Sequence, residues 1–144
     1  MNEHSFIKSI HNSLHPDVYK WKIHDTYTGG VPDAMYAGTH SVLFVEYKYI
    51  KTLPKRNSTN LRHSLSQLQL NWLNRVNQAA QTALIIGAEN TGIILVSDFS
   101  TNISKMKYIE QAMTRKAIAE WIYTKTCRGN NCDRLNADPR FKPT

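Results

Sequence analysis

The chain has 144 residues and a mass of 16.5 kDa, enough for one domain with a single core and too little for two independent ones. Apolar residues make up 41% and charged residues 20%, which excludes disordered and fibrous classes. Eighteen Lys and Arg against eleven Asp and Glu give a formal net charge of +7, which favours a polyanionic partner such as nucleic acid through counterion release.

Phe6, Ile10 and Leu14 recur every four residues with Ile7 on the same side, so residues 3–14 are expected to form a helix capped by Asn2. Pro16 closes that segment, and the alternation over 18–24 predicts a half-buried strand. Thr28, Gly29 and Gly30 turn the chain into a short strand over 32–37. The apolar run Val42-Leu43-Phe44-Val45 continues through Glu46, Tyr47, Lys48 and Tyr49 and reads as a central strand buried on both faces. Residues 51–60 hold Lys51, Lys55, Arg56 and Pro54 among small polar residues, the composition of an exposed loop.

Ser64 followed by Gln67 predicts a capping box and a helix ending near Ala79, with Leu65, Leu68, Trp72, Leu73 and Val76 as its stripe. Residues 82–86 and 92–96 predict two strands joined at Glu89, Asn90 and Thr91. Ser104 is expected to cap one long last helix. Its inward side would be Met106, Ile109, Met113, Ala117 and Trp121, leaving Lys105, Lys107, Arg115 and Lys116 to solvent or DNA. One domain over 1–126 is expected, followed by a basic, loosely ordered tail over 127–144. Cys127 and Cys132 lack a second pair to complete a zinc site and read as free thiols. No apolar run approaches the roughly 18 residues of a membrane span, and no signal peptide is visible, so a soluble, cytoplasmic protein without a membrane partner is expected.

On a strand, residues two apart share a face, so Glu46 and Lys48 project together and Tyr47 points the other way. Charges at the end of an apolar strand are costly unless paired or ligated. Asp33 reaches the same point if its strand pairs antiparallel with the next one. Two carboxylates then converge with an ammonium, a donor set suited to Mg2+ or Mn2+, and the Tyr47 backbone carbonyl can supply a third oxygen. Lys48 can position the attacking water or offset charge on a phosphate. At about 100° per residue, Gln69 falls inside the apolar stripe and Gln67 nearly opposite, so Gln69 needs a buried partner and Gln67 is expected to cap. The same projection puts Glu3 within the stripe of the first helix.

Pro32-Asp33 followed by Glu46-Tyr47-Lys48 resembles the PD-(D/E)XK nucleases, and the blocks at 30–33, 44–48 and 65–73 look like stand-alone VRR-NUC members of that superfamily. The resemblance implies a restriction-endonuclease-like α/β core: a central mixed sheet of four to five strands flanked by helices, in the order α-β-β-β-α-β-β-α. It implies Asp33 and Glu46 as metal ligands, Lys48 as the catalytic lysine, Gln69 as its companion glutamine and Glu3 as an extra ligand or water contact. The activity it implies is Mg- or Mn-dependent endonucleolytic cleavage of branched DNA such as Holliday junctions, by a homodimer of the kind found in phage and bacterial enzymes. Lys51, Lys55, Arg56 and Arg62 are expected to grip the DNA backbone and His63 to touch phosphate, with the remaining histidines on the surface. Tyr47, Tyr49 and Trp72 are expected in the core. The competing expectation is a nucleic-acid-binding module that keeps this fold without cleavage.

Overall fold

The computed structural model describes residues 1–25 and 27–128. Their elements run α1 (Glu3–Asn12), β1 (Tyr19–Lys22), β2 (Ala34–Ala37), β3 (Val42–Ile50), α2 (Gln67–Val76), β4 (Gln81–Ala88), β5 (Thr91–Leu95), α3 (Lys105–Gln111), β6 (Met113–Thr114) and α4 (Arg115–Tyr123), extended by a π-helical turn, Thr124–Arg128. Six strands form one mixed sheet in sequential order. β3 and β4 run parallel, joined through α2 as a parallel crossover requires, and all other neighbours are antiparallel. The expected element order is kept through α3, after which a sixth strand, one more than the four or five foreseen, and a further helix follow.

Alternation along β3 splits its side chains between two layers. Leu43, Val45 and Tyr47 face Phe6, Ile7 and Ile10 of α1 and Ile118, Ala119 and Ile122 of α4. The opposite face packs Leu84, Ile86 and Ile93 under Leu73 of α2 and Tyr108 of α3. Asn2 caps α1 as expected, accepting from the Ser5 N–H at 2.9 Å, and Ser104 caps α3. Among the described residues, no helix is long and apolar enough to cross a membrane.

Three expectations are corrected. β1 is exposed along its whole length instead of half-buried, because it is the sheet's edge; the apolar signal belongs to Val18 just before it, which is buried. α2 is capped by Ser66 rather than Ser64 and stops at Val76, and Leu68 of its predicted stripe is 60% exposed. The last helix is two helices. Met113 and Thr114 extend to pair with Gly92 and Thr91, Thr114 then caps α4, and the break resets the helical phase. Met106, Ile109 and Ala117 are therefore exposed, and Ile118, Ala119 and Ile122 carry the burial. Cys127 is a free thiol inside the π-helical turn, which runs past the expected boundary at 126; Cys132 and the tail from 129 onward lie outside the described residues.

Gly30 sets how the β1–β2 connection meets α2. Its φ is +86°, and a Cβ there would run into the Leu68 carbonyl. We expect Gly30→Ala to lower stability by about 1–2 kcal/mol from the left-handed backbone alone. Activity should fall further than the thermal melt suggests, since the clash pushes on the backbone that carries Gln69.

Candidate active site

The β2–β3 register pairs Ala34 with Val45, which sets Asp33 across from Glu46 and position 32 across from Tyr47. Position 32 is proline, which has no N–H to give to Tyr47. The ladder stops there, and the Asp33 side chain takes over: its Oδ2 accepts from the Tyr47 N–H at 2.8 Å. In an antiparallel ladder a residue's N–H and C=O point to the same edge, so the Tyr47 carbonyl faces the gap beside Asp33. The backbone of Asp33 is tied on its other side by the Ile23 N–H at 2.8 Å.

Glu46 is the centre of the arrangement. Its side chain is 3% exposed; Oε1 accepts from Gln69 Nε2 at 2.7 Å and lies 3.7 Å from Lys48 Nζ. Oε2 is buried without a hydrogen-bond partner. Burial, followed by the nearby Asp33 carboxylate, pushes the Glu46 carboxyl up to about 8, with Lys48 pulling against the rise. An isolated buried carboxylate oxygen costs several kcal/mol unless something ligates it.

Gln69 is held by its own helix end. Its Oε1 accepts from the Ser66 N–H at 2.9 Å while its backbone N–H donates to Ser66 Oγ, a reciprocal capping box that leaves Nε2 free to reach Glu46. The expected cap, Gln67, instead donates to Asn71 on the exposed side of α2. We expect Gln69→Ala to cost about 1 kcal/mol of stability through the lost cap. Any catalysis that depends on Glu46 should drop at least tenfold, measured as melts and initial rates side by side.

Glu3, on the first turn of α1, is exposed but feels the site: its carboxyl is raised by partial burial and then by Asp33, against Lys48 and Lys22. Among the described residues no three His, Cys, Asp or Glu side chains come together tightly enough to hold a metal. Glu3 is coupled to the site through charge, by Asp33 and Lys48. The remaining donors, two carboxylates with one unpartnered oxygen and a carbonyl in an open gap, are hard oxygens. They fit Mg2+ or Mn2+, which fill their other positions with water.

Three of the expected basic residues gather at one cavity. Arg62, Lys55 and Arg56 line an open cavity of about 360 Å³ that begins at Ile50, two residues beyond Lys48 on β3. Lys51 is exposed on the same loop without lining the cavity. The loop is exposed as foreseen but fastened to the start of α3 by Leu61 N–H to Ile103 O at 2.7 Å and Lys105 N–H to Thr59 O at 2.9 Å. His63 is half-buried beside Lys48, its Nδ1 without a partner and its basicity lowered by burial and then by that lysine.

His11 does not fit the expectation of a surface histidine. Its Nε2 lies 2.8 Å from the Tyr36 hydroxyl, which lies 2.6 Å from the Tyr47 hydroxyl, and burial pulls His11 down to about 4. This buried chain props the reverse side of the strand that carries Glu46 and Lys48. The one sequence signal for it is His11's place next to Ile7 and Ile10 on the apolar side of α1. Tyr47 is core as expected, and Trp72 packs edge-on against Phe44 with ring centroids 5.2 Å apart.

The fold is a restriction-endonuclease-like α/β core, a mixed sheet flanked by helices. Among solved structures, the chain is similar to Hjc, a Holliday junction resolvase of the archaeal hyperthermophile Archaeoglobus fulgidus. The TM-score is 0.52 and the identity 12%, over 81% of this chain and 96% of that one. No family profile matches the sequence, and no curated protein matches it.

Proposed function

We propose that the protein is a metal-dependent endonuclease that hydrolyses DNA phosphodiester bonds and prefers branched DNA. The observation that carries this reading is the buried Glu46 carboxylate, with one oxygen unpartnered and the other shared by Gln69 and Lys48, facing Asp33 across the strand pair. Asp33, Glu46 and the Tyr47 carbonyl would hold the cation, with Glu3 in reach through water. When bound, Mg2+ or Mn2+ supplies Lewis acidity at a phosphate oxygen and acidifies water.

The chain's own groups do the rest. Gln69 fixes the orientation of Glu46, and Asp33 is fixed by the Tyr47 N–H. The Lys48 ammonium, 3.7 Å from Glu46, offsets the charge that grows on the phosphate. Lys51, Lys55, Arg56, Arg62 and His63 bind backbone phosphates. Neutralising Lys55, Arg56 and Arg62 together should weaken binding equally across sequences and flatten the salt dependence by about 0.9 per charge removed; an unchanged slope rules out phosphate contact there.

Branched DNA is favoured because the structurally similar archaeal protein is a junction resolvase and the described residues include no added base-reading element. Cutting two opposed strands takes two sites, hence a homodimer of a one-site chain. The test is four-way, flapped and linear DNA incubated with Mg2+ or Mn2+ and then with chelator. Metal-dependent cutting of branched forms is expected. A mobility shift without cutting in either metal identifies a binding module and overturns the enzyme reading.

A further inference from the structure

The helices cover the two sides of the sheet unequally. α1 and α4 cover one side, whereas α2 and α3 cover the other mainly over β4 and β5, with Trp72 reaching Phe44 of β3. Over β1 this second side is open, with Tyr19 64% exposed, Trp21 51% and neither in a core cluster, whereas Met35 and Ala37 of β2 are half-buried. It is also the side of Glu46 and Lys48. Trp21 stands opposite Met35, which stands opposite Phe44, two residues before Glu46 on the same side of β3.

From strand geometry, Trp21 lies one strand across and about 7 Å along from Asp33, with Tyr19 one pleat further out. Lys20 and Lys22 project to the other side, where their charges act on His11 and Glu3. The edge strand thus carries two flat rings on the side of the site and two ammonium groups on the other, on a chain of net charge +7. Two lysines among four edge residues disfavour pairing with a second copy of the sheet. Exposed aromatic rings on a basic chain suit an unpaired strand, because every base has a face to stack and its backbone is anionic.

We infer that Tyr19 and Trp21 form a stacking platform for the bases of an unpaired DNA strand that runs along the sheet to Asp33 and Glu46, so that the bound substrate carries a single-stranded arm. The position of the scissile phosphate rests on the nuclease reading; the stacking itself does not.

The test uses the full chain with Tyr19→Ala and Trp21→Ala combined, both exposed and outside the core clusters, in EDTA so that nothing is cut. Anisotropy is read with fluorescein-labelled oligothymidylate and with a blunt duplex of equal length. Affinity for oligothymidylate should fall about ten- to hundredfold while that for the duplex changes less than about threefold. The salt slope should be unchanged, since no phosphate contact is lost, and Trp21→Phe in the place of Trp21→Ala should restore most of the binding. Equal loss on both probes, no loss on either, or a wild-type dimer that the double variant dissociates would each overturn the platform, the last by naming a second copy as the occupant. A wild-type protein that cuts nothing in metal but shows the selective loss refutes the nuclease reading alone. One that cuts branched DNA but shows no selective loss refutes the platform alone.

Discussion

Glu46→Gln should reduce cleavage about 10³-fold or more, the scale seen when a charge-stabilising group is removed from a preorganised site. The same substitution should raise the melting temperature of the metal-free protein at pH 8. The two effects share one cause. The carboxylate is buried with one oxygen unpartnered and its acidity weakened by burial and by Asp33, so at pH 8 the folded state carries part of the cost of a buried ion, which a proton or a ligand relieves. An amide of the same shape removes the cost and the ligand together. Asp33→Asn is the companion: its Oδ1 can still accept from the Tyr47 N–H, so stability should hardly move while cleavage falls by a similar factor. Cleavage by Glu46→Gln within about threefold of wild type would remove the basis for assigning the reaction to this cluster.

The elements of this cluster were legible in the sequence where the information is local. Period-two alternation puts Glu46 beside Lys48, the antiparallel pairing brings Asp33 opposite, and the helical angle points Gln69 inward. The cap was less legible because the pattern is degenerate: Ser64 precedes Gln67 and Ser66 precedes Gln69 at the same spacing, and the structure chooses the pair whose glutamine also meets Glu46, 23 residues away. Tertiary pairing decides the rest. Nothing in Ala112 or Met113 forbids a helix; the chain leaves it there because Met113 can pair with Gly92. Tyr19 and Trp21 alternate with lysines in the same way whether their strand is half-covered or an edge, so their exposure was hidden. His11 owes its burial to Tyr36 and Tyr47, brought together only by the folded sheet.

Stability of the metal-free protein should stay nearly level between pH 4.5 and 6.5 as far as Glu46 and His11 set it, and then fall by about 2 kcal/mol between pH 6.5 and 8. Glu46 is raised from its ordinary 4.5 to about 8, so the folded state binds its proton more tightly than the unfolded chain does. Its contribution to stability is present below 4.5 and is lost progressively up to 8. His11 is lowered from 6.5 to about 4, so the unfolded chain binds its proton more tightly, and that contribution is lost as pH falls from 6.5 to about 4. Below 6.5 the two oppose each other; above it only Glu46 of this pair still titrates. Thermal melts across pH 4–9 should therefore show a descending limb above 6.5 that vanishes in Glu46→Gln, and an acid limb that shrinks in His11→Gln. A cation that binds ionised Glu46 must displace its proton, so Mg2+ should raise the melting temperature more at pH 8 than at pH 6 and level the descending limb. A limb that persists unchanged in Glu46→Gln would mean that the carboxyl beside Asp33 is not the group whose burial the fold has to carry.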